Sequence, residues 1–139
     1  MSRVYIDGIF DLFHRGHLES LKKAKNIRKN VYLIVGVVSD KDAENYKRLP
    51  IINEDDRIEI IKNINIVDEV IANPPLIVTK DFIDENKIDL VVHGFSNEAD
   101  WEKQKNFFEY LIKDGKFEKI SYYDKISTTE IIKKIKDDY

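Results

Sequence analysis

Two of the three histidines in this 139-residue chain, His14 and His17, lie three positions apart. They follow the apolar run Val4–Ile6, where a buried strand is expected to give way to a helix. Residues at i and i+3 of a helix project in the same direction. A strand-to-helix junction also presents backbone N–H groups and a helix dipole, which bind phosphate groups. The two imidazoles at such a junction therefore predict chemistry on a phosphate.

Two other interpretations of these histidines remain open. A zinc site would need a third and a fourth ligand, and His93 is a candidate because it also lies at the end of a predicted strand. The chain has no His-Glu-x-x-His motif, however. Alternatively, His14 and His17 cap the helix or pack in the core without any contact to a ligand.

Three hydroxyl residues, Ser127, Thr128 and Thr129, begin the last predicted helix. Ordinary capping would have Ser127 accept a hydrogen bond from the Glu130 N–H. If the first and last strands place their helix N-termini at one crevice, however, the same hydroxyls and free N–H groups would hold a polyphosphate.

The polar segment from Ser39 to Asn53 is predicted to be a long loop, which in compact domains tends to be functional. It carries the cations Lys41, Lys47 and Arg48, and a mobile lysine over a phosphate would neutralise charge during transfer. Arg57, in the next predicted helix, is interpreted as a substrate-facing or interface residue.

Short apolar runs alternate with segments of helical period along the chain, which predicts a doubly wound parallel sheet with right-handed crossovers. We expect one α/β domain over residues 1–139 with a Rossmann-like, doubly wound, five-stranded parallel sheet. The predicted strands are Val4–Ile6, Val31–Val38, Glu69–Ala72, Leu90–His93 and Ile120–Tyr123. Helices are predicted after His17, from Glu54, after Thr79, around Phe107–Ile112 up to Gly115, and from Ser127 or Thr128.

Composition excludes several classes of protein. A net charge of −3 argues against binding of duplex nucleic acid, which usually needs a strong basic excess. The absence of cysteine removes disulfides and zinc–thiolate sites and fits a reducing compartment. No apolar run approaches the ~20 residues that span a bilayer. A soluble, cytoplasmic protein is expected.

Several segments together resemble the cytidylyltransferases that act on phosphocholine, phosphoethanolamine and glycerol 3-phosphate, within the His-x-Gly-His nucleotidyltransferase superfamily. The first motif spans residues 5–17 and contains His14-Arg15-Gly16-His17, and the last is Ile126-Ser127-Thr128-Thr129. Matches between them include residues 32–40, the lysine of Asn45-Tyr46-Lys47, residues 53–57, Val67-Asp68-Glu69-Val70, Lys87-Ile88-Asp89 and Val92-His93-Gly94. The resemblance covers essentially the whole chain and implies that the expected Rossmann-like, five-stranded sheet is of the nucleotidyltransferase type.

This resemblance implies transfer of CMP from CTP to a phosphorylated alcohol, with Mg²⁺ accompanying CTP and a homodimer as the active form. The contact between subunits would lie around residues 57–68. The catalytic residues would be His14, His17 and Lys47. The residues that would bind the nucleotide are Gly8, Ile9, Phe10, Gly16, His93, Gly94, Ser127, Thr128 and Thr129.

The residues expected to bind the acceptor differ more from the family pattern than the nucleotide-binding motifs do. Asp7 and Phe108 match acceptor-binding positions, whereas Leu76 replaces an aromatic residue of the cage for a quaternary ammonium. Phe95 or Trp101 would be needed to restore that cage. A weakened cage would penalise phosphocholine most and phosphoethanolamine less. Because the first motif most resembles the amino-alcohol enzymes, phosphoethanolamine or phosphocholine is expected as the acceptor, with glycerol 3-phosphate also possible.

Two arginines of the family pattern are missing, since Tyr122 replaces one and Asn65-Ile66 replaces Arg-Tyr at the other. This loss motivates an alternative function, a nucleotide-binding module of the same fold with impaired catalysis. An adenylyl-transferring relative is a further alternative, because either end motif alone would fit one.

Overall fold

Five strands form one all-parallel sheet in the order β3-β2-β1-β4-β5. The computed structural model describes residues 1–139. The strands are β1 (Ser2–Gly8), β2 (Val31–Val37), β3 (Glu69–Ala72), β4 (Leu90–Phe95) and β5 (Phe117–Ser121). The predicted doubly wound α/β fold is therefore confirmed, with β1 extending two residues beyond its apolar run at its carboxyl end.

Seven helices connect and flank the strands. They are α1 (Arg15–Lys25), α2 (Asp40–Tyr46), α3 (Glu54–Lys62), α4 (Lys80–Glu85), α5 (Glu98–Gln104), α6 (Glu109–Lys113) and α7 (Thr128–Asp138), with a 3₁₀ turn at Lys105–Phe108. Side chains with hydrogen-bond acceptors cap most of the N-termini, as the residue preference at this position predicts. These caps are His14, Ser39, Asn53, Thr79, Asn97 and Ser127. No helix combines the length and the apolar character that crossing a bilayer requires.

The sheet is buried on both faces because successive side chains of a strand point to opposite sides. Val4 and Ile6 of β1 pack in one apolar cluster with Leu21 of α1. Tyr5, between them, packs in a second cluster with Phe82 of α4. This arrangement explains why β2 reads as a nearly continuous apolar run.

Three sequence predictions about elements were wrong. The segment after Ser39 is not wholly a loop, since Asp40–Tyr46 form α2. The last strand is Phe117–Ser121, three residues earlier than predicted at its start. The single helix expected around Phe107–Ile112 is divided into the 3₁₀ turn and α6, and its end at Gly115 agrees with the positive φ of +68° there.

The carboxyl ends of β1 and β4 form the crevice that positions the site. β1 pairs with β2 on one side and with β4 on the other, so the direction of winding changes between β1 and β4. In doubly wound sheets ligands bind in the crevice at this point. The register Tyr5↔Val91 brings Asp7, near the end of β1, alongside His93 of β4.

Candidate active site

The turn between β1 and α1 doubles back sharply on itself. Phe10 and Leu12 both have left-handed backbone conformations, with φ of +59° and +50°. Such values are uncommon for residues other than glycine, and they cluster at functional sites. The Phe10 side chain is buried in the core and its ring packs over Gly8. Of the residues expected to bind nucleotide, Phe10 therefore offers only its backbone to the crevice.

His14 and His17 cap the first turn of α1 with one nitrogen each. His14 Nδ1 accepts a hydrogen bond from the Gly16 N–H at 3.0 Å, and His17 Nδ1 accepts one from the His14 N–H at 3.2 Å. The rings stack with their centroids 3.9 Å apart. Since both Nδ1 atoms accept, each neutral ring carries its proton on Nε2. Both histidines therefore cap the helix, and each ring keeps one N–H donor that capping does not use.

Burial keeps these imidazoles uncharged. It lowers the pKa of His17 to about 3, with a smaller contribution from the neighbouring His14. Burial also lowers the pKa of His14 below its ordinary value. Two neutral N–H donors side by side are suited to stabilising a charge that develops on phosphate oxygens.

The N-terminus of α7 lies against this turn. The Thr128 hydroxyl donates to the Asp11 carbonyl at 2.9 Å, although the two residues are 117 positions apart. At Gly16, an added Cβ would stand 2.7 Å from the His14 ring and 3.3 Å from the Ile126 carbonyl oxygen. Only glycine fits this approach, so the structure brings the histidine motif and the hydroxyl motif together.

The three hydroxyls of the last motif have different surroundings. Ser127 caps α7 by accepting from the Glu130 N–H at 3.1 Å, as ordinary capping predicts. Thr128 is occupied by the Asp11 carbonyl. Thr129 is exposed, and its Oγ1 lies 3.4 Å from Nη1 of Arg48.

Lys47 ends α2 beside Arg48 and therefore lies near the N-terminus of α7. Its side chain makes no hydrogen bond or ion pair in the structure. Partial burial and the Arg48 charge both lower the pKa of the Lys47 ammonium. The lysine is thus free to contact an anion that enters the crevice.

Asp11 is a site residue that sequence reasoning missed. Its side chain is buried, and its two carboxylate oxygens accept from the N–H groups of Ile51 and Ile52 at 2.8 and 2.9 Å. A buried carboxylate requires such partners. Asp11 therefore fastens the segment after Lys47 to the β1–α1 turn.

The interpretation of Arg57 as a substrate-facing or interface residue was wrong. Arg57 has no exposed surface, because its guanidinium is enclosed by backbone carbonyls. Nη1 donates to the carbonyls of Ile9 and Val38 at 2.7 and 2.9 Å, and Nε donates to that of Ile52 at 2.8 Å. Nη2 pairs with Asp40 at 2.7 Å. Arg57 thus joins the β1–α1 turn to the segment that carries Lys47.

A second group of residues lies across β1 and β4. Asp7 Oδ1 is 3.8 Å from His93 Nδ1, and the Tyr5 hydroxyl donates to Asp7 Oδ2 at 3.4 Å. Burial raises the pKa of Asp7 to about 6 and lowers that of His93 to about 4. The His93 ring lies 5.1 Å from that of Phe108. The structure therefore places His93 with the expected acceptor residues, apart from the His14–His17 pair.

The aromatic residues near this group are mostly packed in the core. Phe95 and Phe108 are 5% and 8% exposed, and Trp101 stacks on Phe117. Gly94 lies against the ring of Tyr122, so closely that any Cβ at this position would overlap the ring. Tyr122 is uncharged at neutral pH, as an ordinary phenol is, and partial burial raises its pKa further to about 12.

The three histidines do not form one ligand set. No group of three or more His, Cys, Asp or Glu side chains is placed to hold a metal ion. His93 lies beside Asp7 of β1, whereas His14 and His17 stack on each other at the start of α1.

Comparison with known families agrees with this geometry. Residues 5–134 match the family described as Cytidylyltransferase-like. The chain belongs to this family. The match includes every residue assigned above to the crevice.

The relatives of this cytidylyltransferase-like chain are named for two acceptors, choline phosphate and ethanolamine phosphate. It is 42% identical to choline-phosphate cytidylyltransferase A of Mus musculus over 99% of its own length and 37% of that protein. It is 36% identical to ethanolamine-phosphate cytidylyltransferase of Dictyostelium discoideum, over 94% of its length and 35% of that protein. The chain thus spans a little over a third of the curated relatives it matches.

One solved structure resembles the cytidylyltransferase-like chain along most of its length. It is described as the lipopolysaccharide core biosynthesis protein from Thermoplasma volcanium. The TM-score is 0.71 at 30% identity, covering 89% of this chain and 99% of the other.

NMR can test the charge states and tautomers described for the three histidines of this cytidylyltransferase-like chain. We expect His17 and His93 to stay neutral as the pH falls from 7.5 to 5.5, because their pKa values are lowered to about 3 and 4. Long-range ¹H–¹⁵N correlation spectra should show the Nε2–H tautomer for His14 and His17. The unfolded chain in urea is the control and should titrate near 6.5. Protonation of His17 near 6.5 in the folded chain, or an Nδ1–H tautomer, would contradict the capping geometry.

Proposed function

We propose that this chain transfers CMP from CTP to a phosphorylated amino alcohol. The products are pyrophosphate and a CDP-alcohol of the kind used in phospholipid synthesis. The observation that carries the proposal is the convergence of His14 and His17 with the N-terminus of α7 at one crevice. Similarity to cytidylyltransferases named for choline phosphate and ethanolamine phosphate supports it.

The reaction needs no nucleophile from the protein. An oxygen of the acceptor phosphate attacks the α-phosphorus of CTP and forms the new P–O bond. The bond from that phosphorus to the oxygen it shares with the β-phosphate breaks, and its electron pair leaves with pyrophosphate. Catalysis then consists of positioning and of stabilising charge on the leaving group. The Nε2–H groups of His14 and His17 and the ammonium of Lys47 would supply the donors.

Mg²⁺ enters this proposal as part of the substrate. CTP is expected to arrive as its Mg²⁺ complex, since this ion is usually held by substrate phosphates with at most one or two carboxylates. The Asp11 carboxylate, which lies in the β1–α1 turn, is already occupied by two backbone N–H groups. The phosphates themselves would therefore hold the ion.

Asp7 supports an amino alcohol as the acceptor. With a pKa of about 6, it is mostly ionised at pH 7, and the neighbouring His93 is neutral and does not compensate its charge. A primary ammonium can donate hydrogen bonds to this carboxylate. A quaternary ammonium depends on an aromatic cage instead, and Phe95 and Phe108 are packed in the core. We therefore rank phosphoethanolamine first, phosphocholine second and glycerol 3-phosphate third.

A panel of acceptors tests the proposal. Pyrophosphate release would be measured with CTP or ATP and each of the three phosphorylated alcohols. We expect release with CTP, and the highest kcat/KM with phosphoethanolamine. Asp7→Asn is the matched variant, and it should lower kcat/KM for the amino alcohols while sparing glycerol 3-phosphate.

Other outcomes of the panel would favour the alternative functions. Binding of CTP without release on any acceptor would favour the impaired nucleotide-binding module. Preference for ATP would assign the chain to an adenylyl-transferring group. Equal losses for all three acceptors in Asp7→Asn would remove Asp7 from ammonium recognition.

We further propose that the enzyme acts in the cytoplasm as a homodimer. Of the region expected at the contact, Arg57 is fully buried within its own subunit and takes no part. Ile60 of α3 is 38% exposed and remains a candidate contact. A mass near 16.4 kDa in sedimentation would contradict the dimer.

A further inference from the structure

A basic cleft of about 340 Å³ opens between the segment after α2 and one face of α7. Its lining residues are Arg48, Thr129, Ile132, Lys133 and Lys136. The α7 residues follow the spacing that places side chains on one face of a helix, so the cleft runs along α7 from its first turn. Three of the lining side chains are cations, and none is an acid.

The charges of this cleft have no partner within the protein. None of the ion pairs in the structure includes Arg48, Lys133 or Lys136. The Arg48 guanidinium contacts only the Thr129 hydroxyl, at 3.4 and 3.5 Å from Nη1 and Nη2. These distances exceed the usual range for N–H···O bonds. The planar fork of donors, which suits phosphate oxygens, is therefore available to a ligand.

The cleft begins beside the residues proposed to act on CTP. Thr129 directly follows Thr128, whose hydroxyl is bonded to the β1–α1 turn. Arg48 directly follows Lys47, and the two charges lie close enough for Arg48 to lower the pKa of Lys47. If the α-phosphate of CTP lies near the histidines, its β- and γ-phosphates are the groups that can extend into this cleft.

We infer that Arg48 binds the β- and γ-phosphates of CTP, and the pyrophosphate formed from them, with Lys133 and Lys136 adding positive charge along α7. This role rests on the proposed CTP-dependent function. It makes Arg48 a residue that selects triphosphate over monophosphate.

The test compares Arg48→Gln with Arg28→Gln in the full chain. Arg28 is a matched control because its guanidinium also contacts only a hydroxyl, that of Ser2 at 3.5 Å, at the start of β1 and far from the crevice. Calorimetric titration would give the dissociation constants of CTP, CMP and inorganic pyrophosphate. We expect Arg48→Gln to weaken CTP and pyrophosphate about 10- to 100-fold, the range for a hydrogen bond to a charged group, and to leave CMP unchanged. Arg48→Lys should restore part of the loss.

The outcomes separate this inference from the proposed function. If wild-type protein transfers CMP and Arg48→Gln binds CTP as tightly as Arg28→Gln does, the inference is wrong and the function stands. Equal weakening of CTP and CMP would also overturn it, because the guanidinium would then act away from the terminal phosphates. If pyrophosphate binding depends on Arg48 in a protein with no transferase activity, the cleft is an anion site and the proposed function fails. Failure of wild-type protein to bind pyrophosphate at all would overturn the inference directly.

Discussion

Replacing His17 by alanine is expected to lower kcat for pyrophosphate release about 100- to 1,000-fold, and His14→Ala should have a similar effect. This is the usual cost of removing one preorganised donor from a developing negative charge. Each ring offers one Nε2–H, because its Nδ1 is committed to the backbone of α1. The loss should appear in kcat as well as kcat/KM, since the charge develops only in the transition state.

A loss of stability must be separated from this loss of turnover, because the same rings cap α1. Alanine at an N-cap costs about 1 kcal/mol of stability. His14→Asn restores an N-cap acceptor without an imidazole, so it should recover the free energy of unfolding and leave kcat low. Thr79→Ala is a matched control, since Thr79 caps α4 through the Phe82 N–H at 3.2 Å, away from the crevice. It should lose similar stability with wild-type kcat.

Wild-type turnover in a folded His14→Asn variant would show that His14 serves only as a cap. If a folded His17→Ala variant also had wild-type turnover, neither imidazole of the crevice would take part in catalysis. Either result would also weaken the assignment of Lys47, which is argued from the same crevice.

The sequence predicts an element correctly where its buried residues form a continuous or periodic apolar pattern. β2 is covered on both faces, and its continuous apolar run predicted it within one residue. α2 was missed because only Ala43 of its seven residues is buried, which leaves no helical periodicity to detect. β5 was misplaced because it lies at the edge of the sheet and is largely exposed. Its position follows from the packing of Phe117 on Trp101 and Phe108, which lie in other elements of the fold.

The candidate site was predictable where its residues form a compact motif. The spacing of His14 and His17 and the run of hydroxyls at Ser127 are visible locally, whereas their contact across 117 positions needs the folded sheet. Asp11 and Arg57 were missed or misinterpreted for a related reason. Asp11 bonds to backbone N–H groups 40 and 41 positions away, and Arg57 bonds to carbonyls 5, 19 and 48 positions away. No local residue pattern encodes either set of partners. The one available signal was that Asp11 stands in an apolar context.

Replacing Arg57 by methionine is expected to lower the free energy of unfolding by about 3–5 kcal/mol, because it removes the fully buried partner of the Arg57–Asp40 ion pair and the donor to three backbone carbonyls. The carbonyls of Ile9, Val38 and Ile52 would lose the Arg57 donor in one step, and the Asp40 carboxylate would keep only the Glu54 N–H at 3.3 Å. Against a total stability of about 5–15 kcal/mol, this is a large fraction. Urea unfolding measures it. Arg28→Met, at an exposed arginine, should change stability by no more than about 0.5 kcal/mol.

Arg57→Lys tests whether the guanidinium also positions the active site, and it serves as the second variant if Arg57→Met does not fold. Lysine keeps the charge near Asp40 but lacks the fork that reaches three carbonyls at once. The Ile9 carbonyl directly precedes the strained Phe10 turn, so a looser partner there should shift the histidines. We expect a folded variant whose kcat falls up to about 100-fold, in proportion to the misplacement. A folded Arg57→Lys protein with wild-type kcat would mean that Arg57 stabilises the fold without setting the geometry of His14 and His17.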